Sequence, residues 1–302
     1  PLTGATPPLG LEDGSAVADL SLRGAGDARG SVERALRLFA GRGGDAPGDV
    51  GCVLMGLPPP RPFPASWERE SAPSPASAGE GRGGCQTAPS THASESGTTT
   101  FATPTTLALL RTGPLRFRPG QSDLLHLSLR HHAAWLIRDG GTGSYAPPED
   151  WWWDALAGAA AHNGAVFDGA DPMPRAGRFL LARWPRVTPI RDGAVAHHRT
   201  GNRHARRVTH AGNVWAIEDE LAGPFRHIAF HWRLLPAAWR LTPGGAVSPA
   251  AALTVAADAP LRFALRRGWE SPAYGRLAPV PVLRVEAEAP VRVVTTRIHL
   301  PE

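Results

Sequence analysis

The stretch RHARRVTHAGNVWAIEDEL, residues 203–221, decides the fold. Arg206, Val208 and His210 alternate with Arg207 and Thr209, so successive side chains project to opposite sides of an extended chain. The turn HAGN follows, and then Trp215, Ala216 and Ile217 resume the extended pattern, which together predict a β-hairpin. Outward from this hairpin the same texture recurs. Short alternating runs lie at 107–111, 115–118, 123–129, 134–138, 165–168 and 178–184 before it, and at 227–234, 252–256, 261–266, 282–288 and 291–299 after it. Turn signals such as DGG separate them. Many short strands at close spacing predict a mostly β protein, built as a large antiparallel β-sandwich of two or more stacked sheets.

The N-terminal third reads differently. Residues 1–45 contain one helical pattern, with Ser31 as cap and Val32, Leu36 and Phe39 at helical spacing. Glycines at 41, 43 and 44 stop it. Residues 46–104 are rich in Pro, Ser, Gly and Thr, as in PPPRPFPAS and SAPSPASAGEGRGG. Such composition buries too little apolar surface to offset its ordering entropy, which predicts a disordered linker or insertion, with a short strand at 51–56. The β domain is expected over residues 105–302.

Composition narrows the function classes. The chain has 302 residues, 42% of them hydrophobic, enough for a sizeable core. No apolar run approaches the roughly 18 residues of a membrane span. No secretory leader is visible, and the chain starts at Pro1, so it reads as a fragment or a processed product. All 32 basic residues are Arg, and the formal charge is +5. That charge suits an acidic partner, but the basic residues are spread out and no nucleic-acid motif accompanies them. Cys52 and Cys85 are too few for a disulfide framework. Signatures of serine hydrolases, P-loop enzymes and dinucleotide-binding proteins are lacking.

Several residues could carry chemistry. The segment from His197 to Arg207 contains no acid, and Arg199, Arg203 and Arg206 within it are candidates to contact sulfates or carboxylates. Glu218, Asp219 and Glu220 on the paired strand offer cross-strand neutralisation instead. Three consecutive tryptophans, Trp151 to Trp153, cannot all face one way, so at least one fills core even if another meets a sugar ring. Alternation sets His126 and Ser128 opposite Leu125, Leu127 and Leu129, as a cleft-facing residue or an ordinary satisfied histidine.

In order along the chain, RPGQSDLLHLSLR, LIRDGGTGSY, AAAHNGAVFDGADPMPRAGRF, WAIEDELAGPFRHIAFHWRLLP and GWESPAYGRLAPVPVL resemble the C-terminal β domain of heparinase II/III-like polysaccharide lyases. Residues 1–40 resemble the tail of the helical α/α toroid that precedes that domain. The resemblance implies a carbon–oxygen lyase that cleaves an acidic, uronate-containing polysaccharide by β-elimination, in the periplasm or outside the cell. It implies that most catalytic groups lie on the toroid, so this chain supplies the β domain that closes the cleft and is inactive alone. The rival is a non-catalytic glycan-binding or structural sandwich.

The resemblance also carries site residues. The family's H-x-H-x-D motif falls on residues 119–123, where Pro119 replaces the substrate-facing histidine and Gln121 the metal-binding one. Asp139 and His162 match the other two metal positions. Gln121, Asp139 and His162 are therefore expected either to hold one divalent metal, zinc or calcium, or to form a hydrogen-bonded cluster pinning adjacent strands. Tyr145 matches a cleft-lining segment.

Overall fold

A computed structural model describes residues 90–93, 97–113, 115, 119–177 and 180–301. The helix expected in residues 1–45 and the strand expected at 51–56 lie outside these residues.

In chain order the strands are β1 (Ser90–Ala93), β2 (Thr98–Ala102), β3 (Thr106–Arg111), β4 (Leu127–His131) and β5 (Ala134–Ile137). The short helix α1 (Trp151–Leu156) follows, then β6 (Ala165–Phe167), β7 (Arg175–Gly177), β8 (Leu180–Leu181), β9 (Arg186–Ile190) and β10 (Gly193–His197). The chain continues through β11 (Arg203–Ala211), β12 (Val214–Ala222), β13 (His227–Arg233), β14 (Arg240–Thr242) and β15 (Gly245–Ser248). It ends with β16 (Ala251–Ala257), β17 (Arg262–Glu270), β18 (Ala278–Glu288) and β19 (Val293–His299).

All strand pairs are antiparallel. An eight-stranded sheet runs β14-β15-β16-β19-β12-β11-β10-β9, a five-stranded sheet runs β1 to β5, and a four-stranded sheet runs β17-β18-β13-β6. The strands β7 and β8 form a small ribbon of their own. The mostly β, multi-sheet architecture is the one expected from the alternating pattern. Its start is earlier than expected: β1 and β2 fall inside the stretch read as linker. Their sequences, STHA and TTTFA, are Thr- and Ser-rich and carry one large apolar side chain, Phe101. Thr is a good strand former, and an outermost pair of strands needs less apolar surface than a central one. The expected strand at 123–129 starts later, at Leu127, because Leu125 adopts a left-handed backbone with φ 56°.

The predicted hairpin becomes β11 and β12, joined through His210 and Trp215 as opposite residues. Its inner face sets His204, Arg206, Val208 and His210 against Leu221, Asp219, Ile217 and Trp215 in register. The two smaller sheets lie over this face. Phe101 of β2 meets Trp215 edge-on at 6.5 Å, and Phe230 of β13 meets His204 edge-on at 6.3 Å. A bridge between Ile137 and Leu234, with Arg138 N–H donating to the Arg233 carbonyl at 2.9 Å, ties the five- and four-stranded sheets to each other. The apolar core is continuous through all three sheets, with Trp215, Trp232, Leu129, Val285 and Ile298 essentially inaccessible to water. Burial at that level is worth roughly 1.5–3 kcal/mol for each large side chain.

Histidines inside the fold make it acid-sensitive. Burial, then the neighbouring Arg284 and Arg233 guanidinium groups, drives the His231 imidazole down to about 4, and burial does the same to His198. In the unfolded chain both return to about 6.5, so on acidification the unfolded state takes up protons first. Their stabilising effect is complete above that ordinary value and is lost as pH falls toward 4. Urea denaturation at pH 7 and pH 5 is expected to show a stability loss that shrinks in His231→Gln. An identical pH dependence in parent and variant would contradict this account.

Candidate functional site

The site grows out of one ion pair. Arg206 is completely buried on β11, and opposite it on β12 lies the equally buried Asp219. The guanidinium makes a two-pronged contact, Nε to Oδ1 at 2.7 Å and Nη2 to Oδ2 at 3.0 Å. His204 Nε2 lies 2.6 Å from the same Oδ1. Burial alone would raise the Asp219 pKa, but Arg206 and His204 outweigh it and hold the carboxyl below its usual range. Face-on to Trp232 at 5.2 Å, the guanidinium is enclosed on its remaining side.

Arg206 Nη1 then reaches out of the sheet. It donates to the carbonyl of Leu125 at 2.7 Å and to that of Asn163 at 2.5 Å. These two residues immediately precede His126 and follow His162. The Leu125 conformation is one that a branched side chain seldom takes, and the bond from Arg206 helps to hold it. Asn163 stitches the strands around it: its Nδ2 donates to the carbonyls of Leu127 and Arg138, and its Oδ1 accepts from Arg233 N–H.

Held in this way, His126, Asp139 and His162 converge. Their ligand atoms all lie within 4.8 Å of one another, and all three are buried. His162 Nδ1 is 2.8 Å from Asp139 Oδ2, and His126 Nε2 is 3.3 Å from the same oxygen. Gly141 N–H donates to Oδ1 at 2.7 Å. Gly141 is required there: its φ is +73°, and a Cβ would stand 2.7 Å from the Ser271 carbonyl. Asn163 N–H donates to His126 Nδ1 at 2.9 Å, so the His126 proton is on Nε2, directed at Ser128 Oγ (2.8 Å) and Asp139.

The charges follow from these contacts. Burial would raise Asp139, but the two imidazoles and the donors on its oxygens bring it down to about 2. Burial presses His126 down to about 3, so it is neutral. Burial pushes His162 the same way, but the Asp139 carboxylate overrides it and lifts the imidazole above its ordinary value.

The expected metal set fits this arrangement poorly. Nitrogen and carboxylate ligands at this spacing could approach a cation. Yet both Asp139 oxygens already receive N–H groups, and His126 cannot offer Nε2 while Asn163 N–H occupies Nδ1. Gln121 bonds to neither Asp139 nor His162 among the described residues. Its amide oxygen is buried without a hydrogen-bond partner and its side chain lines a different pocket, with Tyr145 and Trp153. Protons join the three side chains as a His–Asp–His clamp linking the strand beginning at Leu127, the end of β5 and the segment before β6, while His162 Nε2 is buried without a hydrogen-bond partner among the described residues.

The remaining expected residues are dispersed. Pro119 is buried. Arg206 serves the core and offers nothing to a glycan, correcting its expected role in substrate contact. Arg203 stays near the surface 3.5 Å from Glu220, and Arg207 also pairs with Glu220. Arg199 is exposed, its Nε 3.3 Å from the Trp184 carbonyl. Tyr145 is exposed and faces Tyr274, the chain's other tyrosine, at 5.5 Å. Trp153 fills core while Trp151 stays partly in solvent, as three adjacent positions on one helix turn require.

Asp139→Ala removes the acceptor of these N–H groups and is expected to cost about 3–5 kcal/mol, read from denaturant unfolding. Asp139→Asn keeps one acceptor oxygen and should cost less. Elemental analysis of the purified chain should find no stoichiometric divalent metal, and a chelator should leave the melting temperature unchanged. One bound ion per chain, lost in Asp139→Ala, would show that the clamp exchanges protons for metal.

No curated protein matches the sequence. A solved heparinase III superposes with a TM-score of 0.58 at 15% identity, covering 70% of this chain and 36% of that one. Heparan sulfate lyase HepC from Pedobacter heparinus superposes with a TM-score of 0.54 at 15% identity, again over 70% of this chain and 36% of its own. These likenesses establish a shared fold, and the chain spans little more than a third of those proteins' length. The family described as "Heparinase II/III-like, C-terminal" matches residues 86–298, a span that takes in β1 and every later strand up to the last residues of β19. The chain belongs to the heparinase II/III-like family, and residues 86–298 are its C-terminal domain.

Proposed function

We propose that this chain is the β domain of a polysaccharide lyase that cleaves an acidic, uronate-containing glycan by β-elimination, in the periplasm or outside the cell. The family match over residues 86–298 carries the reading. The solved relatives of the same fold are a heparinase III and a heparan sulfate lyase. In such a reaction a base takes the C5 proton, the C5–H electrons form the C4–C5 double bond, and the C4–oxygen bond breaks as an acid protonates the leaving oxygen. Neutralising the adjacent carboxylate makes the C5 proton acidic enough to lose.

The described residues contribute binding and rigidity to this scheme. Pro119 stands where the family motif has its substrate-facing histidine, so this domain supplies no imidazole there. The proton-transfer pair then comes from the helical domain that accompanies such β domains. Arg199, on an exposed turn, and Tyr145, on an exposed loop, are the expected residues best placed to meet a polymer. The same Pro119 and Gln121 replacements favour a second reading, a glycan-binding sandwich that has no catalytic part.

Isothermal titration with heparan sulfate, chondroitin sulfate and polygalacturonate is expected to give binding to at least one of them and none to neutral dextran. Incubation of this chain alone with the bound polymer should produce no ultraviolet absorbance from unsaturated uronate. Binding to none of the acidic polymers would overturn the reading, and turnover by the isolated chain would overturn the assignment of catalysis to another domain.

A further inference from the structure

Gln121 poses a problem that the clamp does not solve. It is 4% exposed, and its amide oxygen has no hydrogen-bond partner among the described residues. A buried acceptor left unpaired costs about 1–3 kcal/mol, so such an atom calls for a donor. The side chain lines a pocket whose other walls include Thr142, Tyr145, Trp153, Arg175 and Leu180.

The walls have consistent chemistry. Arg175 sits on β7 with its guanidinium 4.9 Å from the centre of the Trp153 ring, and its Nε donates to the Gly177 carbonyl at 3.3 Å. These contacts fix the plane of the fork. Arg175 has no carboxylate partner among the described residues, in contrast to Arg203, Arg206 and Arg207. Leu180, 49% exposed, gives the rim an apolar surface. Tyr145 stands at the mouth and is braced by the second tyrosine: its own N–H donates to Tyr274 Oη at 3.1 Å. Both rings are about two-fifths exposed. A hydroxyl acceptor at depth, an oriented guanidinium, and aromatic and apolar surface at the rim match the needs of one acidic sugar residue. Its hydroxyls donate, its carboxylate or sulfate accepts from a fork, and its C–H face packs on a ring.

We propose that the pocket formed by Gln121, Tyr145, Trp153 and Arg175 is a binding subsite for a uronate or sulfated sugar residue of the polysaccharide. The proposal rests on the reading of this domain as a polysaccharide-binding part of a lyase. In it Gln121 is a sugar ligand. Its Oε1 accepts a ring hydroxyl, Arg175 takes the anionic group, and Tyr145 closes the mouth.

The test is titration of the full chain with size-defined heparan sulfate and polygalacturonate oligosaccharides. Arg175→Ala truncates an exposed side chain, giving up its stacking on Trp153 but no packing between the sheets, so it is expected to fold normally while weakening binding about tenfold. Gln121→Ala should weaken it about three- to tenfold, the range of one hydrogen bond. Arg175→Lys keeps the charge without the fork and should fall between parent and Arg175→Ala. Arg240→Ala, exposed on β14 and outside the pocket, serves as the comparison for general loss of positive charge. Unchanged affinity in Arg175→Ala, with a parent that binds, would overturn the subsite and leave the polysaccharide reading standing. So would losses of equal size in Arg175→Ala and Arg240→Ala. A parent chain that binds no acidic oligosaccharide would overturn both.

Discussion

The pairing of Arg206 with Asp219 is the constraint on which the rest of the domain depends. Both groups are wholly enclosed, so each ion pays heavily in lost hydration, and only a two-pronged, fully hydrogen-bonded contact makes the arrangement tolerable. The sheet register brings the two residues directly opposite each other, between Val208–Ile217 on one side and His204–Leu221 on the other. An ion pair at this point specifies one register. A slip by one residue would turn Arg206 and Asp219 outward and bring Arg207 and Glu218 or Glu220 into the core.

The same guanidinium transmits order to the neighbouring layer. Its third nitrogen fixes the carbonyls of Leu125 and Asn163, so the loop before β4 and the segment before β6 are positioned from the eight-stranded sheet. His126 and His162 inherit their places from these bonds, and Asp139 gathers them. Two polar networks, Arg206–Asp219–His204 and His126–Asp139–His162, are thereby joined through Asn163. Linked buried networks of this kind make a core specific, because any shift leaves several further buried groups unpaired at once.

Much of this was written into the alternation, and some of it was not. The hairpin at 203–221 was legible because period-two spacing and a turn coincide there. The fate of Arg206 was also within reach. Alternation puts it on the same face as Val208 and His210, and it puts Asp219 on the face of Trp215 and Ile217, so a charge of each sign stands on one apolar surface. Reading the segment by its overall basic composition hid that pairing and made Arg206 look like a surface contact. His126 had a similar signal, opposite the leucines of its strand. Its role depended on Asp139 and His162, and nothing in local sequence reports on a meeting across three segments. The strands β1 and β2 are not legible because their composition is that of a linker, and only the pairing of β2 with β3, and of β1 with β2, gives them strand character.

Gln121 and Pro119 show how a family site can change without loss of the fold. The clamp holds with Asp139, His162 and His126 alone, because every N–H directed at the carboxylate comes from residues inside the polar network. The motif positions at 119–121 are thus relieved of a structural duty. Gln121, still buried by the scaffold, presents an amide whose oxygen nothing among the described residues satisfies, on a pocket bordered by the loop at 142–145 and the ribbon of β7 and β8. Interior charge pairs set the frame, and the segments they do not constrain are the ones free to acquire ligand chemistry. A buried acceptor that the frame leaves unpaired is the physical trace of that division, since the cost of burying it is recovered only when something from outside donates to it.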